Sequence, residues 1–119
     1  MSNLKESLDS LMELSGAKSA ALVDSASGMV IGQSGSSTNM DIAAAGNTEV
    51  VRAQLKLMEA LGLKDVIDDI LITLTTQYDI VHLLPAHPSI FIYLTMDKAK
   101  SNLALARYKV AECGARLIL

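Results

Sequence analysis

The sequence has a single cysteine (Cys113), no tryptophan, one phenylalanine (Phe91) and three tyrosines, Tyr78, Tyr93 and Tyr108. One cysteine excludes an internal disulfide and any multi-cysteine metal site. With so few aromatics, a core must be built from Leu, Ile, Val, Ala and Met. Long apolar runs are missing too. The longest, Ile80–Pro85 and Ile90–Leu94, are strand-sized and far short of the roughly 20 residues of a membrane helix. Ten basic and thirteen acidic side chains give a net charge of −3, with no basic cluster. Binding to nucleic acid depends on concentrated Lys and Arg, so that class of partner is not expected. The N-terminal residues are polar and carry Glu6, Asp9 and Glu13, without a signal peptide's basic start and apolar middle. The expectation is a cytoplasmic chain with no membrane insertion.

The motifs of common chemistries are also absent. Gly28, Gly32 and Gly35 lie close together, but neither GxxxxGKS/T nor GxGxxG is present and no Lys follows at the required spacing. They read as hairpin glycines, and the chain is not itself a P-loop GTPase. No serine lies in a G-x-S-x-G context. His82 falls mid-strand and His87 in the next turn, a spacing that suits neither a zinc site nor a helical pair. Adjacent Asp68 and Asp69 on a strand point to opposite faces and cannot act on one substrate atom. Cys113 reads as a small core residue. No catalytic residue, cofactor or metal is expected, and the chain does not read as an enzyme.

What is present is apolar. The 119 residues suit one domain, residues 1–119. Half of them are hydrophobic, and the mean hydropathy of +0.35 is high for a soluble chain. Surplus hydrophobicity in a chain without membrane spans points to oligomerisation.

A first helix is expected over Leu4–Leu14, with Asn3 as N-cap, Glu6 at capping-box spacing and Gly16 as its stop. Lys18–Asp24 and Met29–Ser34 read as a hairpin about the turn Ser25–Gly28, followed by a loop over Gly35–Asn39. A second helix spans about Met40–Leu61, started by Thr38 and ended by Gly62. Strands follow at Asp65–Thr76, Tyr78–Pro85 and Ser89–Met96, joined tightly as an antiparallel meander. A last helix, Lys98–Glu112, is capped by Asp97 and closed by Gly114. The order α-β-β-α-β-β-β-α predicts an α/β (α+β) architecture, an antiparallel sheet with helices packed on it.

The second helix is the most informative element. At about 100° per residue, Asp41, Thr48, Glu49, Arg52, Lys56 and Glu59 share one sector. The apolar residues fall into two groups: Ile42, Gly46, Val50, Ala53, Leu57 and Leu61, and Met40, Ala44, Val51, Leu55 and Met58. Asn47 and Gln54 lie between them. One stripe suffices for a helix resting on a sheet. The second implies either a helix buried on all sides or a partner-facing surface, and 119 residues offer little protein to cover it. In the partner reading, Asn47 and Gln54 fix the register across a two-fold axis. Gly46 costs about 1 kcal/mol relative to Ala in a helix interior, which close approach to a strand or neighbouring helix explains.

The hairpin ALVDSASGMVIG, with Asp24 and Gly28, is followed by the long helix AAAGNTEVVRAQLKLMEALGL, the segment DDILITLTTQYDIVHLLP and the strand FIYLTMD. In this order, from about Leu4 to Val110, the chain resembles the roadblock / dynein light chain superfamily, which includes MglB-type bacterial regulators of small GTPases. The resemblance implies a profilin-like fold with a five-stranded antiparallel sheet. It implies a homodimer joined edge to edge through the third strands, here Asp68–Thr76, with the second helices, here Met40–Leu61, alongside. The expected dimer contacts are Asn47, Val51, Gln54, Leu55, Met58, Ile70, Ile72 and Leu74. The partner it implies is a Ras-like small GTPase; a structural adaptor in a motor or signalling complex is the alternative. Arg52 and Arg107 lie within helices and Arg116 near the C-terminus, whereas an arginine finger needs a protruding loop. Any activation of a GTPase is therefore expected to be indirect.

Overall fold

The computed structural model describes residues 2–35 and 39–119. The chain begins with α1 (Leu4–Leu11), β1 (Ala17–Asp24), β2 (Met29–Gly35) and α2 (Met40–Ala60). It continues with β3 (Asp69–Thr73), β4 (Gln77–Leu84), β5 (His87–Asp97), a 3-10 turn (Lys98–Lys100) and α3 (Leu103–Arg116). The strands form one antiparallel sheet in the order β2-β1-β5-β4-β3, so β2 and β3 are its edges.

The period-two alternation of the strands builds a core on each face. Ala20, Leu22, Ile80, Leu84, Ile92 and Leu94 point to the face covered by α1 and α3, where Leu8, Leu11, Ala106, Val110 and Cys113 complete the packing. Their neighbours Ala21, Val23, Val81, Leu83, Phe91 and Tyr93 point to the other face, under Met40, Ala44 and Val51 of α2. Central strands buried on both sides must be apolar at nearly every position, as AALV in β1 and FIYL in β5 are.

Several element ends differ from the sequence expectation. The Asn3 side chain does not cap α1. Its Nδ2 donates to the Arg116 carbonyl (2.8 Å) and its Oδ1 accepts from the Ile118 amide (2.8 Å), tying the start of α1 to the end of α3. The Ser36–Thr38 part of the expected loop, with Thr38 as helix starter, lies outside the described residues; Asn39 caps α2, accepting from the Ile42 amide. β3 begins at Asp69 rather than Asp65, because pairing with β4 starts only there, and it ends at Thr73. Leu74 belongs to the turn that returns to Gln77. The expected last helix divides in two. Asp97 caps only the 3-10 turn, and Asn102 caps α3. Gly114 does not close α3 but lies inside it, where an added Cβ would meet Leu84 at 2.9 Å and His82 at 3.2 Å.

Candidate interaction surface

Three contacts fix how α2 sits on the sheet. Its inner side presses Met40, Ala44, Val51 and Met58 into the interior; Val51 is 1% exposed and Met58 8%. On one flank the Arg52 guanidinium donates to the carbonyls of Ser25 (2.8 Å) and Ala26 (3.1 Å), clamping the β1–β2 turn to the helix. Asn47, on the other flank, donates from Nδ2 to the Ala43 carbonyl of its own helix (2.8 Å) and lies close enough to the Tyr93 hydroxyl of β5 to affect its ionisation, as does Asp79 of β4. The charged flank thus faces β2 and the Asn47 flank faces β4 and β3.

Helical spacing then places Ile42, Val50, Ala53, Leu57 and Leu61 on the outer side and on the flank turned toward β4 and β3. They are uncovered: Ile42 is 71% exposed, Leu57 51% and Leu61 64%. An added Cβ on Gly46 would meet nothing within 4 Å, so no contact among the described residues accounts for that glycine. Ile70 and Ile72 of β3 lie on the same face of the sheet as α2, opposite Val81 and Asp79. β3 is an edge strand, and its one charged residue, Asp69, is held by Arg107 of α3 through a bidentate pair of 2.8 and 3.0 Å. An edge with no free charge and no proline lacks the usual defences against strand addition.

The residues expected from the sequence therefore separate. Gln54, Leu55 and Leu74 are exposed, and Asn47, Ile70 and Ile72 are half-buried at the rim. Val51 and Met58 belong to the chain's own core and offer no surface. Sequence periodicity showed two apolar stripes but not which one turns inward. The one left free is Ile42, Val50, Ala53, Leu57 and Leu61. The informative signal was the polar neighbours, since Arg52 and Asn47 mark the flanks of the inner stripe. Thr48, grouped with the exposed polar sector by the wheel, is buried, its hydroxyl donating to the Ala44 carbonyl (2.7 Å).

A polar chain also crosses the sheet. Lys18 donates to Gln77 (2.7 Å), and Gln77 donates to Asp79 (2.7 Å), which lies beside Tyr93. Burial, reinforced by the Asp79 charge, pushes the Tyr93 hydroxyl up to about 12, although Asn47 works the other way. Tyr93 therefore keeps its proton at neutral pH and remains a donor. Arg52 and Arg107 are both engaged, and Arg116 lies 3.6 Å from Glu112. None of the three is free on a protruding loop.

On the opposite face, His82 is 8% exposed and its Nε2 has no hydrogen-bond partner among the described residues. Burial holds its pKa below the ordinary 6.5, outweighing the pull of Asp69 and Asp68 in the other direction. A histidine whose folded pKa lies below its unfolded value stabilises fully above pH 6.5 and loses that stability as pH falls through it. Thermal melts are thus expected to drop between pH 7.5 and 5.5, and to drop less in His82→Gln. Equal pH dependence in the two proteins would contradict the burial of a neutral imidazole.

No family model matches the chain, and no curated protein matches it. Solved structures do. Myxococcus xanthus MglB superposes with a TM-score of 0.82 at 18% identity, over 94% of this chain and 89% of that one. A Roadblock/LC7 domain from Streptomyces avermitilis gives 0.82 at 16% identity, over 94% and 92%. MglC from Myxococcus xanthus gives 0.63 at 13%, over 95% and 94%. The fold is the roadblock fold, as the sequence resemblance implied, with its five-stranded antiparallel sheet.

Proposed function

We propose that this chain is one roadblock-type domain that forms a homodimer and regulates or scaffolds a cytoplasmic Ras-like small GTPase without being an enzyme. The observations that carry the dimer are the exposed α2 stripe and, on the same face of the sheet, the apolar edge strand β3. Two copies related by a two-fold axis join β3 to β3 as antiparallel strands and lay one α2 stripe against the other. Leu57, Leu61, Val50 and Ile42 then leave water, and each such side chain fully buried contributes roughly 1.5–3 kcal/mol. Gly46 gives the close approach that its own chain leaves unused. β2, the other edge, has the charged flank of α2 beside it instead and is the poorer choice.

The GTPase reading rests on the likeness to MglB and MglC together with the resemblance of the sequence to small-GTPase regulators. Because Arg52, Arg107 and Arg116 have their own partners, the chain acts by ordering the GTPase's switch region, not by inserting a guanidinium. Mixing it with a GTPase encoded by a neighbouring gene should give a complex on gel filtration and a changed rate of phosphate release or nucleotide exchange. A complex that leaves both rates unchanged would favour the adaptor reading, which the engaged arginines also fit. No complex at all would reject both.

A further inference from the structure

A cavity of about 440 Å³ opens between α3 and the start of β3. Sites for small molecules span roughly 300–1,000 Å³, so its size suits one compact ligand. Pro85 of the β4–β5 turn and Tyr108, Ala111 and Ala115 of α3 give it apolar walls. Its polar members are Asp68, Asp69, His82 and Arg107. Two of these satisfy each other, since Arg107 holds Asp69 through two hydrogen bonds of 2.8 and 3.0 Å. The other two are left over. Asp68 is exposed and makes no ion pair among the described residues. His82 is more than nine-tenths buried, and its Nε2 has no hydrogen-bond partner among them. The ring edge that carries Nε2 turns toward α3, where a Cβ built on Gly114 would stand 3.2 Å from it. Gly114 lies between the lining residues Ala111 and Ala115, so this edge borders the cavity. A buried polar atom is nearly always paired, and one without a protein partner calls for a water, an ion or a ligand.

The two unmet groups select the ligand by charge. Asp68 only accepts hydrogen bonds, and a neutral imidazole has one accepting nitrogen. Once Arg107 and Asp69 cancel, the charge left at the cavity is negative. An ammonium group brings one positive charge and three N–H donors, and so meets both acceptors. A carboxylate or phosphate would face Asp68 with the guanidinium already engaged. A metal ion would need more ligands, and no three His, Cys, Asp or Glu side chains come together among the described residues.

We propose that this cavity binds a small organic amine, its ammonium donating to the Asp68 carboxylate and to His82 Nε2 and its apolar body resting on Pro85, Ala111 and Ala115. The imidazole then carries its own proton on Nδ1. The site lies within one chain and does not depend on the dimer.

The test titrates phenethylamine into the full isotope-labelled chain, with phenethyl alcohol and phenylacetate as its neutral and anionic counterparts. Phenethylamine should saturate at one molecule per chain and move the nitrogen signals of the His82 ring. Its binding should weaken as pH falls through the His82 titration, because an imidazolium has no acceptor to offer. The alcohol should bind roughly tenfold more weakly, a hydrogen bond to a charged group being lost, and phenylacetate should not bind. Asp68→Asn, an exposed change, should weaken phenethylamine by about the same factor and leave the alcohol as it was. Equal binding of the three probes, or amine binding that ignores Asp68→Asn, would overturn the proposal. So would the absence of a saturable change at His82, which would leave a water on Nε2. The dimer is judged separately by gel filtration and survives any of these results.

Discussion

Replacing Val50 and Leu57 by glutamate should turn the proposed dimer into a folded monomer, with the dissociation constant raised at least a hundredfold. Leu57 is 51% exposed and Val50, partly covered by its own chain, 37%, so the fold loses far less from these changes than from one in the core. In the proposed dimer they would meet the partner's stripe, and two carboxylates per copy would be taken from water with no cation opposite. The charges of α2 lie on the other flank, where Glu49 pairs with Arg52 at 3.0 Å. Each isolated carboxylate so buried costs several kcal/mol, and every 1.4 kcal/mol is tenfold in affinity. Light scattering should report the mass of one chain while circular dichroism keeps the wild-type spectrum. Val51→Glu is the contrast. That side chain is 1% exposed beneath the helix, and the substitution should unfold the protein. A double variant that remains dimeric would place the interface elsewhere.

The second large effect belongs to the hairpin. Gly35→Ala should destabilise the chain by about 3 kcal/mol or more, against about 1 kcal/mol for Gly62→Ala. Both glycines have positive φ, +79° and +68°, so both substitutions carry the left-handed penalty of about 1–2 kcal/mol. They differ in what surrounds them. A Cβ on Gly62 would meet nothing within 4 Å, whereas one on Gly35 would press directly on the Lys18 carbonyl and stand 2.8 Å from the Ser19 Cα. Those atoms belong to β1, a central strand bonded on both sides, and cannot withdraw without disturbing two ladders. Urea unfolding of the two variants isolates the clash from the backbone penalty. Equal losses in the two variants would show that β1 gives way freely.

The sequence made the elements and their order legible because each has a strong local signal. The apolar runs of β1, β4 and β5, the Asp24–Gly28 turn and the period of α2 need no tertiary information. Element ends were less legible because they depend on distant partners. Asn3 has the composition of a cap, yet the end of α3 engages its side chain, a contact 113 residues away in the chain. Residues 65–68 lead into the ILIT run with no turn residue to mark a break, but residue pairing with β4 begins only at Asp69, Asp68 contributing no more than its carbonyl, which accepts from the Leu83 amide (3.1 Å). The surface was half legible. Two stripes on α2 could be counted from the sequence. Which one points inward is decided by the hairpin that Arg52 clamps and by the Tyr93 hydroxyl that Asn47 meets, and both lie far from α2 in the chain. Cys113, on the apolar face of its helix, and His82, inside an apolar strand, are both buried, in keeping with their neighbours in the sequence.

A twin covering the apolar outer side of α2 underlies both the proposed dimer and the proposed GTPase platform. Sedimentation equilibrium of the unaltered chain at concentrations from one to tens of micromolar tests it without any substitution or partner. The expected result is a mass twice the 12.7 kDa of one chain across that range. A mass of 12.7 kDa at the highest concentration would contradict the account.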